Sequence, residues 1–322
     1  MAQSGITDRP RESAHGSQRS SSADQERQAF RAGYVGVFGR TNVGKSTLLN
    51  AVMGRKLLIS SSKPQATRNR VRCILSRDDA QIVFVDTPGL HRPKNKLGRQ
   101  LVREAYRGLR EIDVLLYVIE PWVRVQPFDL ETLDRIQNKD LPIILLVNKI
   151  DMAKGNDLEE TLLAYAKIDR FAELIPISAT RGSGLDDVVQ TTISYLPEHA
   201  AIFPENVTCD RPESFLIEEI IREQVFQMTF REVPYSSAVQ LKWLREPTEG
   251  SLLEIKAEIL VERESQKGIV IGKRGRLIKE IGIRSRAEIE RLLGRSVFLE
   301  LIVSVSSGWT HDEEEIRRVT EG

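Results

Sequence analysis

Hydrophobic residues recur along the N-terminal part of the chain in short continuous runs, and amphipathic stretches separate these runs. Short apolar runs predict buried strands, and their alternation with helical stretches from about residue 31 to 200 predicts an α/β domain with a mostly parallel sheet. The runs are YVGVF (34–38), RCILSR (72–77), QIVFVD (81–86), VLLYVIE (114–120), IILLV (143–147) and ELIPISA (173–179).

The pattern changes beyond residue 214. Helical spacing over 215–228 is followed by two segments, 237–243 and 252–264, in which apolar and polar residues alternate as in half-exposed strands. Two short helical pieces and a last alternating strand complete the order α, β, β, α, α, β, which predicts a separate α+β domain. We divide the chain into a leader (1–30), an α/β domain (31–200), a linker (201–213), an α+β domain (214–309) and a tail (310–322).

The strand YVGVF leads into the segment GRTNVGKS, and a helical run follows. This segment matches the phosphate-binding pattern G-x-x-x-x-G-K-[ST], in which backbone N–H groups surround phosphate oxygens and the lysine reaches the β and γ phosphates. Because so short a pattern also arises by chance in a glycine-containing turn, other motifs must decide. The predicted contacts are Gly39, Arg40, Asn42, Val43, Gly44, Lys45, Ser46 and Thr47.

Two polar motifs follow later strands, at the carboxyl ends where parallel sheets place their ligands. DTPG runs from Asp86 to Gly89, and its aspartate can meet Mg²⁺ through water. NKID contains Asn148, Lys149 and Asp151; the amide can bond the O6 and N7 edge of guanine, and the carboxylate can accept from N1–H and the exocyclic amine. Adenine has the opposite polarity at both places. The predicted ligands are therefore GTP and GDP, with discrimination of roughly 10⁴ against ATP.

Composition adds limits rather than a function. The chain of 322 residues is 40% hydrophobic and 29% charged, which is typical of a soluble protein with two domains, and its net charge of +1 identifies no partner. Its two cysteines, Cys73 and Cys209, cannot form a disulfide framework, and we expect them to stay reduced in a cytosol. No apolar run is long enough to cross a bilayer. The leader is polar, contains acids and predicts disorder rather than a transit peptide.

The segment VIGKRG lies between two short helical pieces of the second domain. That position and the domain's element order resemble a type II KH domain, in which a GXXG loop contacts a sugar-phosphate chain. From Lys267 to Arg295 the chain has nine Lys or Arg and three Glu, so the loop lies in a locally basic stretch. Ile269 to Ile271 are candidates for the apolar floor of a groove, although we expect at least one of them to pack in the core. The predicted RNA contacts are Ile271, Gly272, Lys273, Arg274, Gly275 and Lys279.

The combined motifs resemble the Era family of bacterial GTPases over residues 31 to about 310. The matching segments are GRTNVGKS, SKPQATRNR (62–70), DTPGLH (86–91), NKID, ISATRGSG (177–184) and VPYS (233–236). The resemblance implies a GTPase that assists assembly of the small ribosomal subunit. Its implied partners are the 3′ end region of small-subunit (16S) ribosomal RNA and the pre-small subunit. We expect a cytoplasmic monomer, with contact at the inner face of the cell membrane left open.

The resemblance also assigns residues. Thr67 corresponds to the switch I threonine that closes over Mg²⁺, so the implied metal ligands are Ser46, Thr67 and Asp86. Ser178 and Ala179 correspond to the loop that contacts guanine. The usual first threonine of switch I is Ala66 here, which leaves the details of that segment in doubt.

Catalysis in this chain differs from that of Ras-like enzymes, which orient water with a glutamine after the Asp-x-x-Gly motif. Here that position is Leu90, so we infer slow intrinsic hydrolysis that relies on Lys45, Thr67 and Asn42. Asn42 matches the position at which related GTPases hold K⁺, but it can equally cap the loop. The sequence leaves both readings open.

A second function also stays open. In that interpretation the GTPase is a signalling timer whose C-terminal domain docks on a protein or a membrane surface. The two basic residues of the GXXG loop favour RNA. A metabolic nucleotide kinase would need an acceptor site and a lid, and neither is visible in the sequence.

Overall fold

The structure is a computed structural model. It describes residues 29–61, 63, 70–86, 99, 102, 103, 106, 107, 109–122, 124–136, 138, 140–245 and 252–309. Thr67, Gly89 and Leu90 therefore lie outside the described residues.

The N-terminal domain is built on a six-stranded sheet of order β2-β3-β1-β4-β5-β6, in which only the β2–β3 pair is antiparallel. The predicted α/β class and the six predicted strands are confirmed. Its elements are β1 (Arg31–Gly39), α1 (Lys45–Val52), β2 (Val71–Ser76), β3 (Ala80–Asp86), β4 (Val114–Ile119), α2 (Pro127–Asp134), β5 (Ile143–Val147), α3 (Asp157–Ala166), β6 (Glu173–Pro176) and α4 (Leu185–Tyr195).

The strand register brings the predicted motifs to one edge of this sheet. Asp86 at the end of β3 pairs with Val37, two residues before β1 ends, and Gly39 pairs with Val118 of β4. Val147, directly before the NKID motif, pairs with Ile119. Fully buried aliphatic residues cover both faces of the sheet, so the strands form a rigid base for the loops that follow them.

The C-terminal domain has a three-stranded sheet of order β7-β8-β9, with β7 antiparallel and β9 parallel to the central strand. The predicted order α, β, β, α, α, β is confirmed. Its elements are α5 (Glu213–Met228), β7 (Ala238–Arg245), β8 (Leu253–Val261), α6 (Glu264–Ile271), α7 (Arg276–Leu293) and β9 (Val297–Val305). One apolar core joins the three helices to the sheet. None of the helices in the described part of the chain is long and apolar enough to span a bilayer.

The two domains contact each other through α5. Phe215 and Leu216, near its beginning, pack into the core of the N-terminal domain. Lys63 lies near its end and donates to the carbonyls of Phe226 (2.6 Å) and Gln227 (3.0 Å). The segment before residue 64 is therefore fixed to the C-terminal end of α5, where unpaired carbonyls favour a cation.

Candidate nucleotide site and nucleic-acid interface

The phosphate-binding loop places Lys45 at the first position of α1. Its side chain is buried, and its Nζ donates to the carbonyls of Gly39 (3.1 Å) and Arg40 (2.8 Å). Burial lowers the pKa of Lys45 to about 8, and the nearby carboxylate of Asp86 offsets part of this shift. The lysine is thus held at the centre of the loop by two neutral acceptors, where phosphate oxygens would be stronger partners.

Asn148 joins three loops at the site. Its Nδ2 donates to the carbonyl of Val43 (2.8 Å), and its Oδ1 accepts from the backbone N–H of Ala179 (3.0 Å). Gly44 lies against this amide with a φ of 98°, and a Cβ there would come within 2.3 Å of the Asn148 Nδ2. An amide has two N–H donors and two acceptor sites, so these contacts leave capacity for a base edge.

Lys149 and Asp151 follow Asn148 in the NKID motif. The Ser178 hydroxyl donates to Asp151 Oδ1, which fixes one oxygen of the carboxylate. Lys149 Nζ donates to the Asn42 carbonyl (2.7 Å) and pairs with Glu120. The NKID motif is therefore tied both to the phosphate-binding loop and to the 178–179 loop by hydrogen bonds within the protein.

A hydroxyl and a carboxylate meet beside the loop. Ser46 Oγ lies 3.4 Å from Asp86 Oδ2, and the carboxylate is buried at the end of β3. Hydroxyl and carboxylate oxygens are suitable ligands for a hard cation such as Mg²⁺. Thr47, the last predicted contact of the loop, instead lies 3.5 Å from the Ser60 hydroxyl.

In the C-terminal domain a sharp turn separates α6 from α7. Gly272 ends α6 with a φ of 72°, and a Cβ at this position would come within 2.7 Å of Leu277 Cβ. Lys273 and Arg274 follow in a single turn, and Arg274 itself has a φ of 53°. The turn places two basic residues outside the helices, where the backbone can approach a phosphate chain.

The helix that begins directly after this turn, α7, forms an open groove with β9, and the groove has a volume of about 320 Å³. Its lining includes two large apolar side chains, Phe298 (52% exposed) and Ile283 (49% exposed). The lining residues are Ile278, Lys279, Gly282, Ile283, Arg286, Phe298, Leu299 and Leu301. Of the predicted RNA contacts, only Lys279 lines this groove.

Both domains of this chain match known protein families. Residues 34–149 match the family model of the 50S ribosome-binding GTPase, and residues 232–310 match that of the KH domain. GTPase Era of Geobacter metallireducens is 43% identical over 90% of this chain and 97% of its own length. That of Geotalea uraniireducens is 44% identical over 89% of this chain and 97% of its own length.

The chain belongs to the GTPase Era family.

Solved structures of the family have the same arrangement. An Aquifex aeolicus Era variant bound to GDP and AlF₄⁻ is 41% identical and superposes with a TM-score of 0.84, covering 90% of this chain and 99% of that one. Era in complex with MgGDPNP and nucleotides 1506–1542 of 16S ribosomal RNA is 40% identical, with a TM-score of 0.84 and coverage of 90% and 98%. The protein is therefore a GTPase with a C-terminal KH domain, as the sequence predicts.

One part of the GTPase site was missed by the sequence analysis. Asp129 in α2 is fully buried and accepts from Arg40 of the phosphate-binding loop through Nε (3.2 Å) and an Nη (2.8 Å). The hydroxyls of Tyr117 and Tyr165 also donate to it, at 2.9 and 2.7 Å. The only available signal was an aspartate at a position of α2 that faces the core, and such a residue is almost always paired.

Proposed function

We propose that this GTPase binds the single-stranded 3′ end region of 16S ribosomal RNA in the α7–β9 groove and thereby assists maturation of the small ribosomal subunit. The observation that carries the proposal is the groove itself, which has exposed apolar side chains and basic residues on α7, the helix that begins directly after the GXXG turn. The RNA that one solved relative holds, nucleotides 1506–1542 of the 16S molecule, supports the choice of partner.

The chemistry of the groove suits unpaired nucleotides. Lys273 and Arg274 supply charge for phosphates, and Lys279 and Arg286 line the groove from α7. Phe298 on the opposite wall offers a flat face on which a base can stack. KH domains take about four unpaired nucleotides in this way.

The test is binding of a 3′-end 16S oligonucleotide to the full chain. Replacing both Lys273 and Arg274 by Asp should weaken binding by roughly a hundredfold, because two favourable phosphate contacts become repulsive. The matched control makes the same replacements at Lys242 and Arg245, which lie on the other edge strand, β7. GTP affinity should stay unchanged in both variants. Unchanged RNA binding in the first variant would favour the protein-docking function instead.

For hydrolysis we propose that the loop residues act on a Mg²⁺–nucleotide complex. When bound, Mg²⁺ would neutralise charge on the β and γ phosphates, held by the hydroxyls of Ser46 and Thr67 and by Asp86 through water. Lys45 would exchange its two carbonyl partners for phosphate oxygens. The adjacent Ser46 hydroxyl and Asp86 carboxylate support this assignment.

The role of Asn42 remains a choice between two proposals. Asn42 has a positive φ of 68°, and its carbonyl accepts a hydrogen bond from Lys149 Nζ. Both features fit a residue that only caps the loop. We propose instead that it helps to hold K⁺, which would supply the charge that an arginine finger brings elsewhere. Turnover should then be faster in K⁺ than in Na⁺ at equal ionic strength, and equal rates in the wild type would remove the K⁺ role.

We further propose that the bound nucleotide, GTP or GDP, changes the affinity of the groove for RNA through α5. Lys56 and the Ser60 N–H both contact Glu223 of α5, at 2.6 and 3.2 Å, and Lys63 binds carbonyls at the end of the same helix. This segment leads directly to Thr67, so ordering of the threonine over Mg²⁺ would pull on α5. The wild type should bind RNA with different affinity in its GTP and GDP forms, and Lys63→Ala should reduce that difference. Lys167→Ala, at an exposed site, is the control. Equal affinity of both wild-type forms would exclude the route.

Location and assembly state complete the proposal. We propose a monomer in the cytoplasm, where small subunits mature. Light scattering of the purified chain tests the monomer. Flotation with anionic vesicles tests the remaining alternative, contact with the inner membrane face, and co-flotation would establish that contact.

A further inference from the structure

The two cysteines of the chain lie opposite each other in the fold. Cys73 is in β2, the edge strand of the N-terminal sheet, and Cys209 is in the linker, which runs antiparallel beside it. The backbone N–H of Ile74 donates to the Thr208 carbonyl (3.0 Å), and that of Asp210 donates to the Arg72 carbonyl (3.1 Å). The linker therefore pairs with the edge of the sheet through an isolated β-bridge at Cys209.

This hydrogen-bond pattern defines how the two cysteines face each other. Because the bonds are made by the residues on either side, Cys73 and Cys209 form a non-hydrogen-bonded antiparallel pair. In such pairs the Cα atoms are about 4.5 Å apart and the two side chains lie side by side on one face. That separation is within the range of about 4.4 to 6.8 Å that a disulfide requires.

The surroundings keep the pair together. Cys73 is fully buried in the core of the N-terminal domain, and Cys209 packs against the same core while remaining partly exposed. Arg72 and Asp210 pair beside them, with an N–O distance of 4.0 Å, and the Arg72 N–H donates to the Asp210 carboxylate (2.9 Å). The linker is thus aligned with β2 by contacts that do not depend on the sulfur atoms.

We propose that Cys73 and Cys209 are a modification site that forms an intramolecular disulfide by exchange with an oxidised thiol such as glutathione disulfide. The Cys209 thiolate attacks the glutathione disulfide and releases one glutathione. The Cys73 thiolate then attacks the Cys209 sulfur and releases the second. Two protein thiols are oxidised to one disulfide, and one glutathione disulfide is reduced to two glutathione thiols. The two protons of the protein thiols pass to the two glutathione thiols.

The order of attack follows from exposure. Cys209 is the only one of the two that solvent reaches, so the mixed disulfide forms there, and the neighbouring Cys73 resolves it. Burial raises the pKa of both thiols, which makes the exchange slower than at an exposed cysteine. The pair therefore responds to sustained oxidation rather than to brief exposure.

The bond would fasten the linker to the N-terminal domain. β2 begins directly after the segment that contains Thr67, and the linker leads directly into α5. In the reduced protein, backbone hydrogen bonds and the Arg72–Asp210 pair hold this junction and can open. In the oxidised protein a covalent bond closes the chain between residues 73 and 209, which restricts the unfolded state and the movement of the linker.

The experiment equilibrates the full nucleotide-free chain in glutathione redox buffers of increasing oxidation. After alkylation, mass spectrometry should show a loss of two hydrogen atoms, no alkylated cysteine, and a tryptic peptide with Cys73 joined to one with Cys209. The melting temperature should rise by about 5 °C or more in the oxidised form and return on reduction. Cys209→Ser and Cys73→Ala should show neither effect.

Three outcomes would overturn the proposal. They are two alkylated cysteines after oxidation, a Cys209–glutathione adduct that does not progress, and a Cys209-linked dimer. Because the decisive measurement uses the wild type, the proposal stays testable even if Cys73→Ala unfolds the core.

Discussion

The nucleotide pocket and the α7–β9 groove, for which we propose RNA binding, are built in opposite ways. In the pocket the side chains that would read the ligand, Asn148 and Lys45, are buried and already hydrogen-bonded to backbone groups. In the groove, Phe298 and Ile283 are about half exposed and lie on the open walls of a helix and a strand. The pocket is therefore preorganised by its own polar contacts, whereas the proposed RNA groove would gain its contacts only when a ligand binds.

This difference predicts where specificity arises. A buried polar group left unpaired by the wrong ligand costs about 1 to 3 kcal/mol, and more when it is charged. Stacking of a base on an open aromatic face contributes a similar free energy but tolerates any base. We therefore expect sharp discrimination among nucleotides in the pocket and graded affinity among RNA sequences in the groove.

The largest expected effect tests the pocket. Asp151→Asn should weaken GTP binding by about 10³-fold, because an amide cannot accept from both N–H groups of guanine. The same variant should gain affinity for xanthosine triphosphate, whose base has a carbonyl where guanine has its amine. Calorimetry with GTP, ATP and xanthosine triphosphate measures both changes, and Asp169→Asn at an exposed site is the control. A wild type that binds ATP as tightly as GTP would contradict the assignment of the pocket.

The next effect tests the groove. Phe298→Ala should weaken binding of the 3′-end 16S oligonucleotide by about tenfold, since one stacked base loses its platform. Phe230→Ala is the control, because this phenylalanine is 71% exposed and does not line the groove. Fluorescence anisotropy gives both affinities. If the two variants lose the same affinity, the groove is not the RNA site.

A third effect tests whether preorganisation of the pocket extends to α2. Asp129→Asn leaves the Arg40 guanidinium without a charged partner, so we expect GTP affinity to fall by about tenfold and the free energy of unfolding to fall by about 2 kcal/mol. Asp134→Asn, exposed on the same helix, is the control. In the Arg40→Ala background the Asp129→Asn change should cost no further GTP affinity. An additive loss of GTP affinity would show that Asp129 acts on GTP binding by a route that does not pass through Arg40.

The sequence was sufficient for the parts of the molecule that follow local rules. Apolar runs and alternation predict the strands of both domains, and the phosphate-binding loop, DTPG and NKID mark the edge of the sheet at which β1, β3 and β5 end. The partners of Asp129 could not be predicted, because Arg40 and Tyr165 lie 89 and 36 residues away in the chain. The groove at Phe298 could not be predicted either, because it depends on how β9 packs against α7. The pairing of Cys73 with Cys209 could not be predicted from the sequence either. It depends on the linker lying beside an edge strand, which no local pattern encodes.

The smallest effect on GTP binding concerns the proton on Lys45. In the nucleotide-free protein its pKa is lowered to about 8 from the ordinary value of 10.5. Below pH 8 the amine is charged in both the folded and the unfolded state, so burying the charge lowers the free energy of unfolding by its full amount. Between pH 8 and 10.5 the unfolded chain binds more protons, so the free energy of unfolding should rise with pH relative to Lys45→Met, by on the order of 3 kcal/mol.

Bound triphosphate should restore the ordinary charged state of Lys45, because phosphate oxygens replace neutral carbonyls beside the amine. At pH 8, GTP binding should therefore take up about half a proton, and at pH 6.5 almost none. Calorimetry in buffers of different ionisation enthalpy measures this uptake, and an equal value at both pH values would show that the lysine is already charged in the empty pocket.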